Sequence, residues 1–99
     1  MPKLIGLDWD AEEAWEIRSK GWYELAELQL DDGSVVPLSF RDPVRLSQEL
    51  QAHFASGKQY FSKRNLIILP ELTEEAIRQT VADLLFKGVF KASGPDLLP

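Results

Sequence analysis

Cysteine is absent from this chain of 99 residues, and histidine and methionine occur once each. The lack of cysteine excludes a disulfide framework, a zinc-thiolate site and a thiol nucleophile. With His53 as the only imidazole, general-base catalysis or a histidine-rich metal site would depend on one residue. These absences argue against catalysis, and the sequence predicts a protein without a metal or another cofactor.

Long apolar runs are also missing. The longest one covers residues 66–69, whereas a membrane-spanning helix needs about 20 apolar residues. The N-terminus turns acidic at Asp8, before the apolar region and cleavage site of a secretory signal could form. The expectation is a soluble, cytoplasmic protein without a membrane partner. Its length predicts one domain, residues 1–91, followed by a frayed tail, residues 92–99.

Basic residues are scarce in the first third of the chain. Residues 1–35 contain nine acids and three bases, whereas residues 36–99 contain seven acids and eight bases. A concentrated acidic surface repels nucleic acid and attracts a basic protein surface, although acidity can also serve solubility alone. Residues 58–64 interleave bases with aromatics, as single-stranded nucleic-acid binders do, but the sequence pI of 4.8 argues against that partner.

The first predicted element is a helix over residues 11–20. Asp10 is a suitable N-cap, Glu13 completes a capping box, and Gly21 is placed to end the helix in a left-handed conformation. Residues 14–18 also show strand-like alternation, so a strand leading into a hairpin stays open as the alternative.

A β-hairpin over residues 22–40 follows. Its two alternating segments flank an acid-rich turn at residues 31–34 that contains a glycine, the composition of a tight turn. Pro37 has no N–H to donate to a β-ladder, so its strand should lie at a sheet edge or be bulged there.

Three more elements complete the predicted fold. A helix over residues 43–56 opens with a capping aspartate and a proline, and a threonine caps a second helix over residues 74–87. Between them, consecutive apolar residues predict a strand over 66–69 that is covered on both faces. The predicted fold class is α+β: a small mixed sheet made of the hairpin and this strand, with both helices packed mainly on one face.

The second face of strand 66–69 needs cover in such a fold. Either the N-terminal helix or a second copy of the chain could supply it, and the second case is a symmetric homodimer. A homodimeric structural domain is therefore one alternative for the function.

One short stretch has the pattern of a metal-dependent active site. An apolar segment ends in Asp8 and Asp10, and two carboxylates at this spacing can bind Mg²⁺. The motif is short and common, and Asp10 has a simpler role as a helix cap. A weak metal-dependent enzyme that uses Asp8 and Asp10 is the second alternative.

All three tryptophans fall within the first 22 residues, in the acidic first third of the chain. Tryptophan is enriched at interface hot spots, and an acidic rim suits a basic partner. The sequence therefore predicts a non-catalytic accessory or regulatory module that binds another protein, for example an inhibitor of a basic partner. The predicted contact residues are Trp9, Asp10, Glu12, Glu13, Trp15 and Glu16.

Overall fold

The predicted hairpin forms the centre of a four-stranded sheet in the computed structural model, which describes residues 1–90. The strands are β1 (Lys3–Ile5), β2 (Trp22–Gln29), β3 (Val35–Arg41) and β4 (Leu66–Ile68), in the spatial order β1-β2-β3-β4. β2 pairs antiparallel with β1 and β3, whereas β3 and β4 are parallel. The sheet is mixed, as the sequence predicts.

Three helices accompany the sheet within the described part of the chain: α1 (Ala11–Lys20), α2 (Pro43–Ala55) and α3 (Glu74–Phe86). Each begins at a side chain that accepts a hydrogen bond from a backbone N–H three residues further on. The first segment adopts the helical alternative and ends at Gly21, whose φ is +77°. These elements make a small single α+β domain, which confirms the predicted fold class.

β1 is missing from the sequence prediction. It has three residues and pairs with Gln29, Leu28 and Glu27 at the far end of β2. A segment this short contains too little alternation to be recognised, and its strand conformation comes from the pairing itself.

The core lies on one face of the sheet. Alternation along β3 directs Leu38 and Phe40 to this face and Ser39 and Arg41 to the other. Helices α1 and α3 cover the core face, since both contribute apolar side chains to it. The buried apolar residues are Leu7, Ala26, Leu28, Leu30, Leu38, Phe40, Leu69, Leu72, Ile77 and Val81.

α2 occupies the opposite face. Among residues 1–90, the buried core contains no α2 side chain, and Glu49 of this helix instead binds Arg41 on the second face of the sheet. The predicted fold places α2 and α3 mainly on one face of the sheet, whereas the structure places them on opposite faces. An amphipathic stripe shows that a helix packs, but the choice of face is made by the crossover from β3 to the parallel strand β4.

β4 is an edge strand with uneven cover. Ile67 packs against the core, whereas Ile68 is 42% exposed on the other face. The prediction that residues 66–69 are covered on both faces was therefore wrong for Ile68. α2 lies on that face, but its Glu49 pairs with Arg41 of the neighbouring strand β3 and not with a residue of β4.

No helix within residues 1–90 is long and apolar enough to cross a membrane. The predicted tail, residues 92–99, and the predicted domain boundary at residue 91 lie outside the described residues.

Candidate functional site

Two of the six predicted contact residues are used by the fold. The Trp9 ring meets Tyr23 edge to face, with ring centroids 4.9 Å apart, and packs against the core. Its indole Nε1 is buried and has no hydrogen-bond partner among residues 1–90. The Asp10 carboxylate accepts a hydrogen bond of 2.8 Å from the Glu13 N–H and caps α1. Both side chains stabilise the entry to α1.

The other four residues lie on two flanks of α1. Because successive residues turn by about 100°, Trp15 points away from the half-buried Ile17, while Glu13 and Glu16 lie beside it. Trp15 is 66% exposed and borders a shallow cavity of about 320 Å³ near the start of α3. Glu12 is exposed as well. The structure therefore splits the predicted surface into a tryptophan flank and an acidic flank.

The acidic flank forms one wall of a groove beside β2, which we call the α1–β2 groove. Its volume is about 180 Å³. The second wall is the first half of β2, which follows α1 after the single residue Gly21. The residues that line it are Glu13, Glu16, Ile17, Lys20, Trp22, Tyr23, Glu24 and Leu25.

Leu25 supplies an exposed apolar wall in this groove. A β-bulge lies between Tyr23 and Ala26, where three steps along β2 are matched by two along β3. The bulge interrupts the alternation toward Tyr23. Counted from the buried Ala26, alternation directs Leu25 to the opposite face, where it is 74% exposed. Leu25 is absent from the predicted contact residues, although it stands next to another apolar residue in an otherwise alternating strand.

The electrostatics of the groove come from α1. Among the described residues, the carboxylates of Glu13 and Glu16 make no ion pair or hydrogen bond. The Glu24 carboxylate is occupied on the other side of β2, where it binds Lys63 Nζ at 2.8 Å and Arg41 Nη2 at 2.7 Å. The groove thus has two carboxylates available to a cation, and Lys20 is the one base that lines it within residues 1–90.

The partners of Glu24 belong to an ionic network on the second face of the sheet. Arg41 is only 6% exposed; its Nε donates to both Glu49 oxygens at 2.9 Å and its Nη1 to the Phe40 carbonyl. Arg45 Nε also binds Glu49, at 2.8 Å. The network joins β2, β3 and α2. Its charged groups bind one another, which is typical of side chains that stabilise a fold.

The ionic network shifts the pKa of three members. Hydrogen bonds from Lys63 and then Arg41 lower the pKa of Glu24. Burial raises the pKa of Glu49, but its bonds to Arg45 and Arg41 outweigh burial and the net pKa is lowered. Burial likewise opposes the charge of Arg41, and its two carboxylate partners still raise its pKa. All three groups therefore stay ionised at neutral pH.

Asp8 and Asp10 do not form part of a cluster of metal-ligating side chains within residues 1–90. Asp8 is exposed and Asp10 is used as the cap of α1. Within residues 1–90, no three histidine, aspartate or glutamate side chains converge as a metal site requires.

His53 fastens the segment that follows α2. Its Nε2 contacts the Tyr60 carbonyl oxygen at 2.5 Å, and the rings of Phe54 and Phe61 meet the imidazole edge to face. Because a carbonyl only accepts, Nε2 is the protonated nitrogen in this contact. The Tyr60 side chain itself points outward and is 76% exposed.

Comparisons of this chain with models of known protein families, with curated proteins and with solved structures found no significant match.

Proposed function

We propose that this protein is a non-catalytic binding module that holds a basic segment of another protein in the α1–β2 groove. The observation that carries the proposal is the pairing of two available carboxylates, Glu13 and Glu16, with the exposed side chain of Leu25. An exposed apolar side chain beside two carboxylates is typical of an interface that selects a basic partner.

The proposal narrows the surface predicted from the sequence. Glu13 and Glu16 stay in it, and Leu25 joins it. Trp9 and Asp10 have structural roles, and Trp15 lies on the other flank of α1. The acidic surface attracts cationic partners from a distance, so association should be faster at low ionic strength.

The dimensions of the groove support a protein ligand over a small molecule. Pockets for drug-sized ligands usually enclose about 300–1,000 Å³. The α1–β2 groove is smaller, about 180 Å³, and open to one side. It suits one or two side chains of a longer segment, whose charged residues can then reach the rim.

The test uses three short fluorescent peptides of equal length, composed of lysine with valine, glutamate with valine, and lysine with serine. Fluorescence anisotropy should show the lysine–valine peptide binding more tightly than the other two. The double variant Glu13→Gln/Glu16→Gln should weaken its binding by about 2- to 30-fold, if each exposed ion pair contributes about 0.2–1 kcal/mol.

Two variants serve as matched controls. Glu27→Gln removes an exposed carboxylate that lies on β2 outside the groove, and Trp15→Ala changes the other flank of α1. Both should bind like the parent protein, whereas Leu25→Asn should lose affinity. Equal affinity for all three peptides, or an unchanged affinity of the double variant, contradicts the proposal.

A homodimer is the second candidate, because Ile68 is exposed on an edge strand. Light scattering should then show a dimer that Ile68→Lys dissociates. A monomer at high concentration excludes it. A metal-dependent activity of Asp8 and Asp10 and a cytoplasmic location stay predictions from the sequence.

A further inference from the structure

We infer that the partner segment binds as an added β-strand, paired with the backbone of residues 22–24 along the open edge of β2. This inference rests on the proposed function of the α1–β2 groove and specifies how the groove is filled. The occupant is an extended segment in which basic and apolar residues alternate.

The edge of β2 is covered along only part of its length. β1 pairs with Glu27, Leu28 and Gln29, at the C-terminal end of this eight-residue strand. On the same side, residues 22–24 have no neighbouring strand among residues 1–90, although β3 pairs with Trp22 and Tyr23 on the other side. An edge with unpaired backbone groups is a template for another strand.

The chain leaves this edge because of the turn at Gly6. Gly6 has φ +91°, and its carbonyl accepts a hydrogen bond from the Tyr23 hydroxyl. The next residue, Leu7, is buried in the core. A Cβ on Gly6 would clash with the Leu25 carbonyl oxygen, so the close approach requires glycine. Gly6 therefore covers the edge of β2 at Leu25 before the chain turns into the core, and the space beside residues 22–24 is left to the groove.

The walls of the groove predict the pattern of the added strand. Side chains of a strand point alternately to the two faces. On the face toward α1 they would meet Glu13 and Glu16, which favours lysine or arginine. Side chains on the alternate positions would meet Trp22 and Leu25, which favours an apolar residue. A helical ligand would repeat every three to four residues and would not use the backbone edge.

N-methylation of the ligand backbone tests strand addition directly. The lysine–valine peptide, with strictly alternating residues, is made in two forms, each N-methylated at one of the two alternate sets of amides. Only one set can face β2, so one form should bind at least about tenfold more weakly than the parent peptide, while the other binds like it. Amide exchange within residues 22–24 of the protein should slow when the parent peptide binds.

The outcomes separate this inference from the proposed function. If both N-methylated forms bind like the parent peptide, or if the peptide becomes helical in circular dichroism, strand addition is refuted. Sensitivity to Glu13→Gln/Glu16→Gln would then still support the groove. If the parent peptide does not bind at all, the proposed function fails and strand addition fails with it.

Discussion

Replacing Arg41 with methionine should destabilise the protein by about 2 kcal/mol, because this side chain holds three elements together from a buried position. Its guanidinium donates to Glu24, to both oxygens of Glu49 and to the Phe40 carbonyl. Methionine retains much of the length of arginine, so the variant removes the charge and the hydrogen bonds with a limited loss of packing.

The expected loss of stability depends on the partners that the two carboxylates, Glu24 and Glu49, retain when Arg41 is replaced. Removing one partner of a buried ion pair costs about 3–5 kcal/mol when it strands the other charge. Here Glu24 keeps Lys63 at 2.8 Å and Glu49 keeps Arg45 at 2.8 Å, and both carboxylates are partly exposed. Neither charge is stranded, and the desolvation of Arg41 is relieved, so the loss should fall below that range.

Arg45→Met is the matched control. Arg45 shares Glu49 with Arg41, and the two guanidinium carbons lie 5.9 and 6.0 Å from the centre of the Trp22 ring. It is much more exposed, and its pair with Glu49 is an i,i+4 pair on α2, worth about 0.3–0.5 kcal/mol. Within residues 1–90 the two arginines therefore differ in burial and in hydrogen bonding, since the Arg41 guanidinium donates to three residues and that of Arg45 to Glu49 alone.

Urea unfolding followed by far-UV circular dichroism measures both variants, since tryptophan fluorescence would respond to changes around Trp22. With equal m-values, Arg41→Met should lower the free energy of unfolding by about 2 kcal/mol, or Tm by about 8–16 °C. A loss below about 0.5 kcal/mol, or one no larger than that of Arg45→Met, would refute the structural role assigned to Arg41.

Three further predictions concern the fold. The pKa values of Glu24 and Glu49 are lowered in the folded state, so the stability that these carboxylates contribute is complete above the ordinary glutamate pKa of about 4.3. This stability is lost as the pH falls through the lowered pKa values. A midpoint of urea unfolding that does not change between pH 6 and pH 3 would contradict this prediction. Gly21→Ala should lower the free energy of unfolding in urea by about 2 kcal/mol, because its Cβ would lie 2.6 Å from the Asp42 carboxylate that caps α2. Gly33 also has a positive φ but faces open space, so Gly33→Ala should cost only about 1 kcal/mol. Equal losses for the two variants would argue against the contact with Asp42. Tyr23→Phe should cost about 1 kcal/mol in the same assay, through the lost hydrogen bond to the carbonyl after β1, and a neutral effect would show that this bond does not hold the turn.

The candidate site was only partly accessible from the sequence. The acids Glu13 and Glu16 were identified from charge and position, and their exposure agrees with a role in binding. Trp9 was grouped with them because it is near in sequence, but its ring packs on Tyr23. Leu25 was missed because the apolar pattern of β2 identifies the buried face of the strand, and Leu25 lies on the opposite one, beside a groove that forms only when α1 packs next to β2.

Features with local causes were determined by the sequence alone. Asp10 caps a helix through a hydrogen bond to a residue three positions on, Gly21 ends it, and the glycine-containing turn at residues 31–34 closes the hairpin. In each case the interacting groups lie within a few residues of one another, so composition and spacing predict these caps and this turn. The choice between helix and strand for residues 11–20 needed the tertiary structure.

Features that join distant segments were decided only by the tertiary structure. β1 is a strand because it meets β2 more than twenty residues later. α2 is the crossover between the parallel strands β3 and β4, and the handedness of such a crossover selects the face on which the helix lies. Arg41 is buried because Glu24 and Glu49 reach it from two different elements. The free energies of these contacts depend on which surfaces come together, and this is not encoded in the short-range pattern of any one segment.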